Sequence, residues 1–168
     1  MPKGMQDQNE IYISIFNEYR DKILRLCFAY LDDRSYAEDI FQEVLLAIWI
    51  GLKKFRNESS YGTWVYRITV NTIFLFNKRE GKRKTEGIRE NIIDSSVHDM
   101  EQKIRKEENL ENLYEAISTL EEFDRILIGL YLEKLKYEEI GSILGISTSH
   151  VGVKISRIKD KIQKHLNR

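Results

Sequence analysis

The stretch Leu135-Lys136-Tyr137-Glu138-Glu139-Ile140-Gly141-Ser142-Ile143-Leu144-Gly145-Ile146-Ser147-Thr148-Ser149-His150-Val151 predicts two short helices around a tight turn. Ile140, Ile143 and Leu144 recur at helical spacing and share one apolar face. Gly145 falls where a helix ends and the chain needs φ > 0. Ser147 then caps a new helix through its hydroxyl, flanked by the apolar pair Ile146 and Val151 that a hydrophobic staple requires. Gly141 is small where a second helix crosses close by. This is the pattern of a helix-turn-helix, whose second helix enters the DNA major groove. An ordinary helical hairpin without DNA shares each of these signals taken singly.

The second helix favours DNA. Val151, Ile155, Ile158 and Ile162 form its buried stripe, and Ser149, Val153, Ser156 and Arg157 lie opposite, with Gly152 at the edge. Small side chains let a helix sit deep in a groove, and Lys154, Arg157, Lys159, Lys161, Lys164 and Arg168 can neutralise phosphates. A merely solvated basic tail is the alternative for the last residues.

The whole chain has 168 residues and a formal net charge of zero, but the signs are segregated. Cations cluster at Lys78-Arg79, at Lys82-Arg83-Lys84 and from Lys154 onward. Acids gather at Asp32-Asp33, Glu38-Asp39, Glu107-Glu108 and from Glu121 to Asp124. Such segregation points to one polyanionic partner and one basic or mixed partner. Cys27, the single cysteine, lies in an apolar helical pattern, as a buried thiol in a reducing compartment would. The histidines His98, His150 and His165 lack metal-ligand spacing, so neither a metal nor another cofactor is expected. No uncharged apolar run is long enough to span a membrane and no signal peptide is evident, so a cytoplasmic chain without membrane insertion is expected.

With one proline, at position 2, long helices are permitted almost throughout. The expected fold is all-α: two small helical domains joined by a flexible linker, the C-terminal one carrying the helix-turn-helix. Helices are expected over about 9–31 (Ile15, Tyr19, Ile23, Leu26 and Tyr30 on one face), 36–55 and 62–79. The division is 1–80, a linker over 81–104, and 105–168.

The second helix carries a mixed face. Ile40, Phe41, Val44, Leu45 and Ile48 make a buried arc, while Asp39, Gln42 and Glu43 stand beside Leu46 and Ile50 on the far side. Exposed apolar residues among carboxylates suit a protein partner; packing of Leu46 and Ile50 on the first helix is the other possibility. The third helix is aromatic and basic together (Tyr61, Trp64, Tyr66, Arg67, Phe74, Phe76, Lys78, Arg79). That mixture suits single-stranded nucleic acid, with bases on rings and cations along the backbone, although Trp64, Ile68 and Leu75 are expected in the core. The polar loop Asn57-Glu58-Ser59-Ser60-Tyr61 can read the edge of an extruded base. A phosphate-cradling loop and a nucleophile–base pair are both missing, so an enzyme is not expected.

Tyr36-Ala37-Glu38-Asp39-Ile40-Phe41-Gln42-Glu43-Val44, Thr63-Trp64-Val65-Tyr66-Arg67-Ile68 with Asn71, and Tyr137-Glu138-Glu139-Ile140 through Gly145-Ile146-Ser147 to Val151 resemble three motifs of the bacterial extracytoplasmic-function sigma factors, in the family's order. The resemblance implies a bacterial RNA polymerase subunit that recognises promoters and does no covalent chemistry. Its first domain would be sigma region 2 and its second sigma region 4. Asp39, Gln42, Glu43, Leu46 and Ile50 would dock on the clamp helices of the polymerase β′ subunit. Asn57, Ser59, Ser60, Tyr61, Trp64, Arg67, Asn71, Lys78 and Arg79 would hold the single-stranded −10 element. Thr148, Ser149, His150, Gly152, Val153, Lys154, Ser156 and Arg157 would face the duplex −35 element. An anti-sigma factor is a further partner the family implies.

The chain departs from the family pattern at Lys136 (often serine), Gly152 (often lysine), Gly62 (often arginine), Leu75 (often aspartate) and Glu121 (often proline). Two other readings remain beside the sigma factor. One is a stand-alone helix-turn-helix regulator acting without polymerase docking, and the other is a module that only sequesters a protein partner.

Overall fold

A computed structural model describes residues 3–31, 34–83 and 101–167. Among them the regular elements are seven helices: α1 (Lys3–Tyr30), α2 (Arg34–Leu52), α3 (Tyr61–Arg83), α4 (Glu101–Ser118), α5 (Glu122–Leu132), α6 (Tyr137–Leu144) and α7 (Thr148–Leu166). The all-α expectation holds, with helices longer than their sequence limits at several ends. Helix occupies both ends of the segment expected as linker, since α3 continues to Arg83 and α4 starts at Glu101. Residues 84–100 lie outside the described residues.

In the N-terminal module α1, α2 and α3 pack on one another. The predicted face of α1 is buried at Ile15, Ile23, Leu26 and Tyr30, and α2 contributes Ala37, Ile40, Val44 and Ile48. From α3 come Val65, Tyr66, Val70 and Ile73. Leu75 is not in this core, contrary to expectation: it is 56% exposed, because the inward stripe of α3 runs through Val65, Thr69, Thr72 and Ile73 and turns Leu75 outward. Thr69 and Thr72 enter the stripe because each hydroxyl donates to the carbonyl one turn back, Val65 and Ile68, at 2.9 Å.

In the C-terminal module α5, α6 and α7 surround Ile126, Leu127, Leu130, Ile140, Ile143, Val151, Ile155 and Ile158, with α4 against α7. Gly145 adopts φ 71°, ψ 31° and ends α6, as its place predicts. Gly141 is required by the turn, for a Cβ there would stand 2.7 Å from the Ile146 carbonyl oxygen. The Ser147 hydroxyl accepts the His150 N–H at 3.2 Å, capping α7. At Lys136 half of a capping box survives: Glu139 accepts the Lys136 backbone N–H at 2.9 Å, while a lysine ammonium cannot accept in return.

The two modules pack through α1 against α5 and α3 against α6, and their apolar interiors run together. Gly129 lets α5 approach α1, because a Cβ there would meet Leu26 Cδ1 at 2.5 Å. Arg25 forms a two-pronged pair with Glu133 at 2.7 and 2.9 Å. Arg125 donates to the carbonyls of Tyr30, Leu120 and Ser118, joining α1 to the start of α5.

Candidate nucleic-acid interface

The outward face of α7 follows from its buried one. With Val151, Ile155 and Ile158 fixed inside, Thr148, Ser149, His150, Val153, Ser156 and Arg157 fall on the solvent side, all exposed. Ser149 sits 3.3 Å from the capping Ser147 hydroxyl. Gly152 lies at the edge, where a Cβ would only touch the Tyr137 ring at 3.5 Å. No clash demands a glycine there, so its effect is to leave a shallow notch. Lys154 differs from the others: its ammonium is 2.6 Å from the Asp124 carboxylate.

The −10 candidates gather on α3 and the loop before it. Asn57 holds φ 55°, a left-handed geometry asparagine tolerates. The Ser60 hydroxyl caps α3 by accepting the Thr63 N–H at 3.1 Å, so it is already engaged. Tyr61 stacks on Phe55 with ring centroids 4.7 Å apart and keeps an outer face in solvent. Trp64, expected in the core, is half-buried at its edge, where it packs on Phe55 and Gly51. Ser59 is half-buried, while Asn71, Lys78 and Arg79 are exposed, Arg79 standing 3.8 Å from Glu43.

Arg67 connects the two candidate DNA surfaces. Its guanidinium donates to the Ser142 hydroxyl on α6 at 3.0 Å. An open cavity of about 210 Å3 is lined by Tyr19, Ser60, Thr63 and Tyr66 together with Glu133 and Glu139. Burial, with help from Glu18, pushes the Tyr19 hydroxyl up to about 12, and burial raises Tyr66 as well, so both phenols in the lining stay neutral. Gly62 is explained here, because a Cβ would stand 2.9 Å from the Tyr19 hydroxyl.

On α2 the polar candidates Asp39, Gln42 and Glu43 are exposed, and Leu46 and Ile50 are 58% and 55% exposed on the same side of the helix. Packing of these two against α1 is therefore excluded. Sequence reasoning missed the groups that join the modules, Arg25, Arg125, Glu133 and Ser142, because each partner lies far along the chain. It also missed Asp124, whose signal was visible as a carboxylate inside the apolar pattern of α5.

These features define a two-module helical protein in which α7, the candidate reading helix, and the aromatic–basic helix α3 belong to different modules. Residues 15–83 match the family model for Sigma-70 region 2, and residues 110–162 match that for Sigma-70, region 4. The chain belongs to the sigma-70 family, in its extracytoplasmic-function branch. It is 27% identical to the ECF RNA polymerase sigma factor SigW of Bacillus subtilis, over 98% of this chain and 91% of that protein. It is also 27% identical to the ECF RNA polymerase sigma-E factor of Escherichia coli K12, over 86% and 80%. Among solved structures it resembles the sigma factor RpoE bound to the anti-sigma factor NepR from Bartonella quintana (TM-score 0.77, 17% identity, 94% of this chain and 98% of that one). CnrH in complex with the cytosolic domain of CnrY gives a TM-score of 0.69 at 17% identity, over 95% and 89%. Among the described residues no helix is long and apolar enough to cross a membrane.

Proposed function

We propose that this chain is a sigma factor that docks on core RNA polymerase and directs it to the promoters of a specific regulon, acting in the bacterial cytoplasm. The observation that carries the reading is the outward face of α7, small and polar at its start with Arg157 two turns on, presented by a capped helix-turn-helix. That face suits the duplex −35 element in the major groove. The loop at Asn57–Ser60 with Tyr61, Trp64, Arg67 and Asn71 suits the unpaired −10 strand, and Lys78 and Arg79 suit its phosphates. Capturing bases there offsets part of an unpairing cost of a few kcal/mol per base. Asp39, Gln42, Glu43, Leu46 and Ile50 form the face for the β′ clamp helices. The chain works by binding, with the chemistry of RNA synthesis left to the polymerase.

The two DNA elements lie about 25 base pairs apart, or roughly 85 Å at 3.4 Å per pair. Arg67 and Ser142, one from each reading module, are 3.0 Å apart. Simultaneous reading therefore requires the modules to separate, and a partner that binds both would hold them together. An anti-sigma factor, the kind of partner bound to the Bartonella protein, would fill that role.

Transcription in vitro with purified core polymerase on genomic DNA, followed by start-site mapping, tests the proposal. The expected result is a small set of start sites sharing −35 and −10 sequences, absent with polymerase alone. Failure of the chain to bind core polymerase, or start sites unchanged by its addition, refutes it.

A further inference from the structure

The reading helix is held on both flanks by α5. On one flank Lys154 lies 2.6 Å from Asp124 and its ammonium stands 5.1 Å from the centre of the Phe123 ring. Lys161, two turns on, reaches the other Asp124 oxygen at 3.6 Å. On the opposite flank Lys159 donates to the Tyr131 hydroxyl at 2.7 Å and sits 4.3 Å from that ring's centre. Arg157, between the flanks, is exposed and has no partner among the described residues.

The Asp124 side chain is only 8% exposed. A carboxylate so enclosed needs a charged or hydrogen-bonding partner, and the short contact to Lys154 is the charge-assisted kind. Lys154 is correspondingly enclosed, with 27% of its side chain exposed against 57% for Lys161. A DNA phosphate reaching for Lys154 must compete with this carboxylate.

We propose that Asp124 is a positioning residue for −35 binding. Its carboxylate holds Lys154 against α5 and withholds that ammonium from the DNA, so that Arg157 is the phosphate-reaching cation at the centre of α7. This rests on the reading of α7 as the −35 helix. The number of phosphates neutralised is then set partly by a residue that never touches DNA.

The test is the salt dependence of holoenzyme binding to a duplex carrying the upstream half of a promoter mapped with this chain. Asp124→Asn frees Lys154 and steepens the slope of log K against log salt by about 0.9 per lysine that gains a phosphate. A fourfold rise in salt then weakens the variant about 3.5 times more than the wild type. Adding Lys154→Ala to Asp124→Asn takes back the roughly 0.9 that Lys154 contributes, whatever the freed Lys161 adds. A purely structural Asp124 would lower affinity at constant slope, and that result overturns the inference. Should Asp124→Asn fail to fold by circular dichroism, Lys154→Gln alone decides. Its slope stays at the wild-type value if Asp124 holds the lysine, and falls by about 0.9 if Lys154 touches phosphate. If the wild-type holoenzyme ignores the upstream duplex, the −35 reading itself falls, and this inference with it.

Discussion

Replacing Leu46 and Ile50 together by alanine separates a docking role from a folding one. Both side chains are more than half exposed in the free chain, at 58% and 55%. Removing them leaves the core intact, so stability changes by no more than about 0.5 kcal/mol. Full burial of a leucine or isoleucine contributes about 2 kcal/mol, and a partner can cover only the exposed fraction, about 1.2 and 1.1 kcal/mol here. The double variant therefore binds core polymerase up to about 50-fold more weakly. Competition with labelled wild-type chain for core polymerase measures the affinity, and urea unfolding of the free chain measures the stability. An unchanged affinity, or a drop in stability as large as the loss of binding, refutes the assignment of this face.

Gly141→Ala drives a Cβ to 2.7 Å from the Ile146 carbonyl, a backbone atom with little room to yield. The variant should lose about 1–3 kcal/mol of stability and bind upstream promoter DNA more weakly; a melt identical to wild type would refute the close turn. Burial pushes the Cys27 thiol from 9.0 up to about 12, so the folded chain keeps a proton that the unfolded chain releases from about pH 9 upward. Stability from this group is complete below pH 9 and declines between about pH 9 and 12, by at most about 1.4 kcal/mol per pH unit. Urea midpoints measured across that range should fall, and the native thiol should resist iodoacetamide at neutral pH. Rapid native labelling would contradict the burial.

The helix-turn-helix was legible because its signals are local. Gly145, Ser147 and the Ile140–Ile143–Leu144 face each act within about one helical turn, where residue type dictates backbone geometry directly. Leu75 was misplaced for the converse reason. Apolar character says a residue tolerates burial, but two threonines hydrogen-bonded to their own helix took the inward positions. Leu46 and Ile50 could be read either way, because helical periodicity alone does not say which side of α2 meets α1, and only their exposure decides it. Lys154 looked like one basic residue among six, and only the fold brings Asp124, thirty residues earlier, beside it. The joints between modules were invisible for the same reason: Arg25 and Glu133 are 108 residues apart.

Gly129 bears on how the protein responds to temperature. By admitting Leu26 and Ala29 against α5, it makes the joint between modules partly an apolar contact, with Arg25–Glu133 at its margin. Parting the modules wets that apolar surface, so the step carries a positive heat-capacity change. Apolar contacts weaken on cooling, whereas the ion pair yields to added salt. Cold and ionic strength thus act on different components of one joint, and the readiness of the two modules to part is set by both.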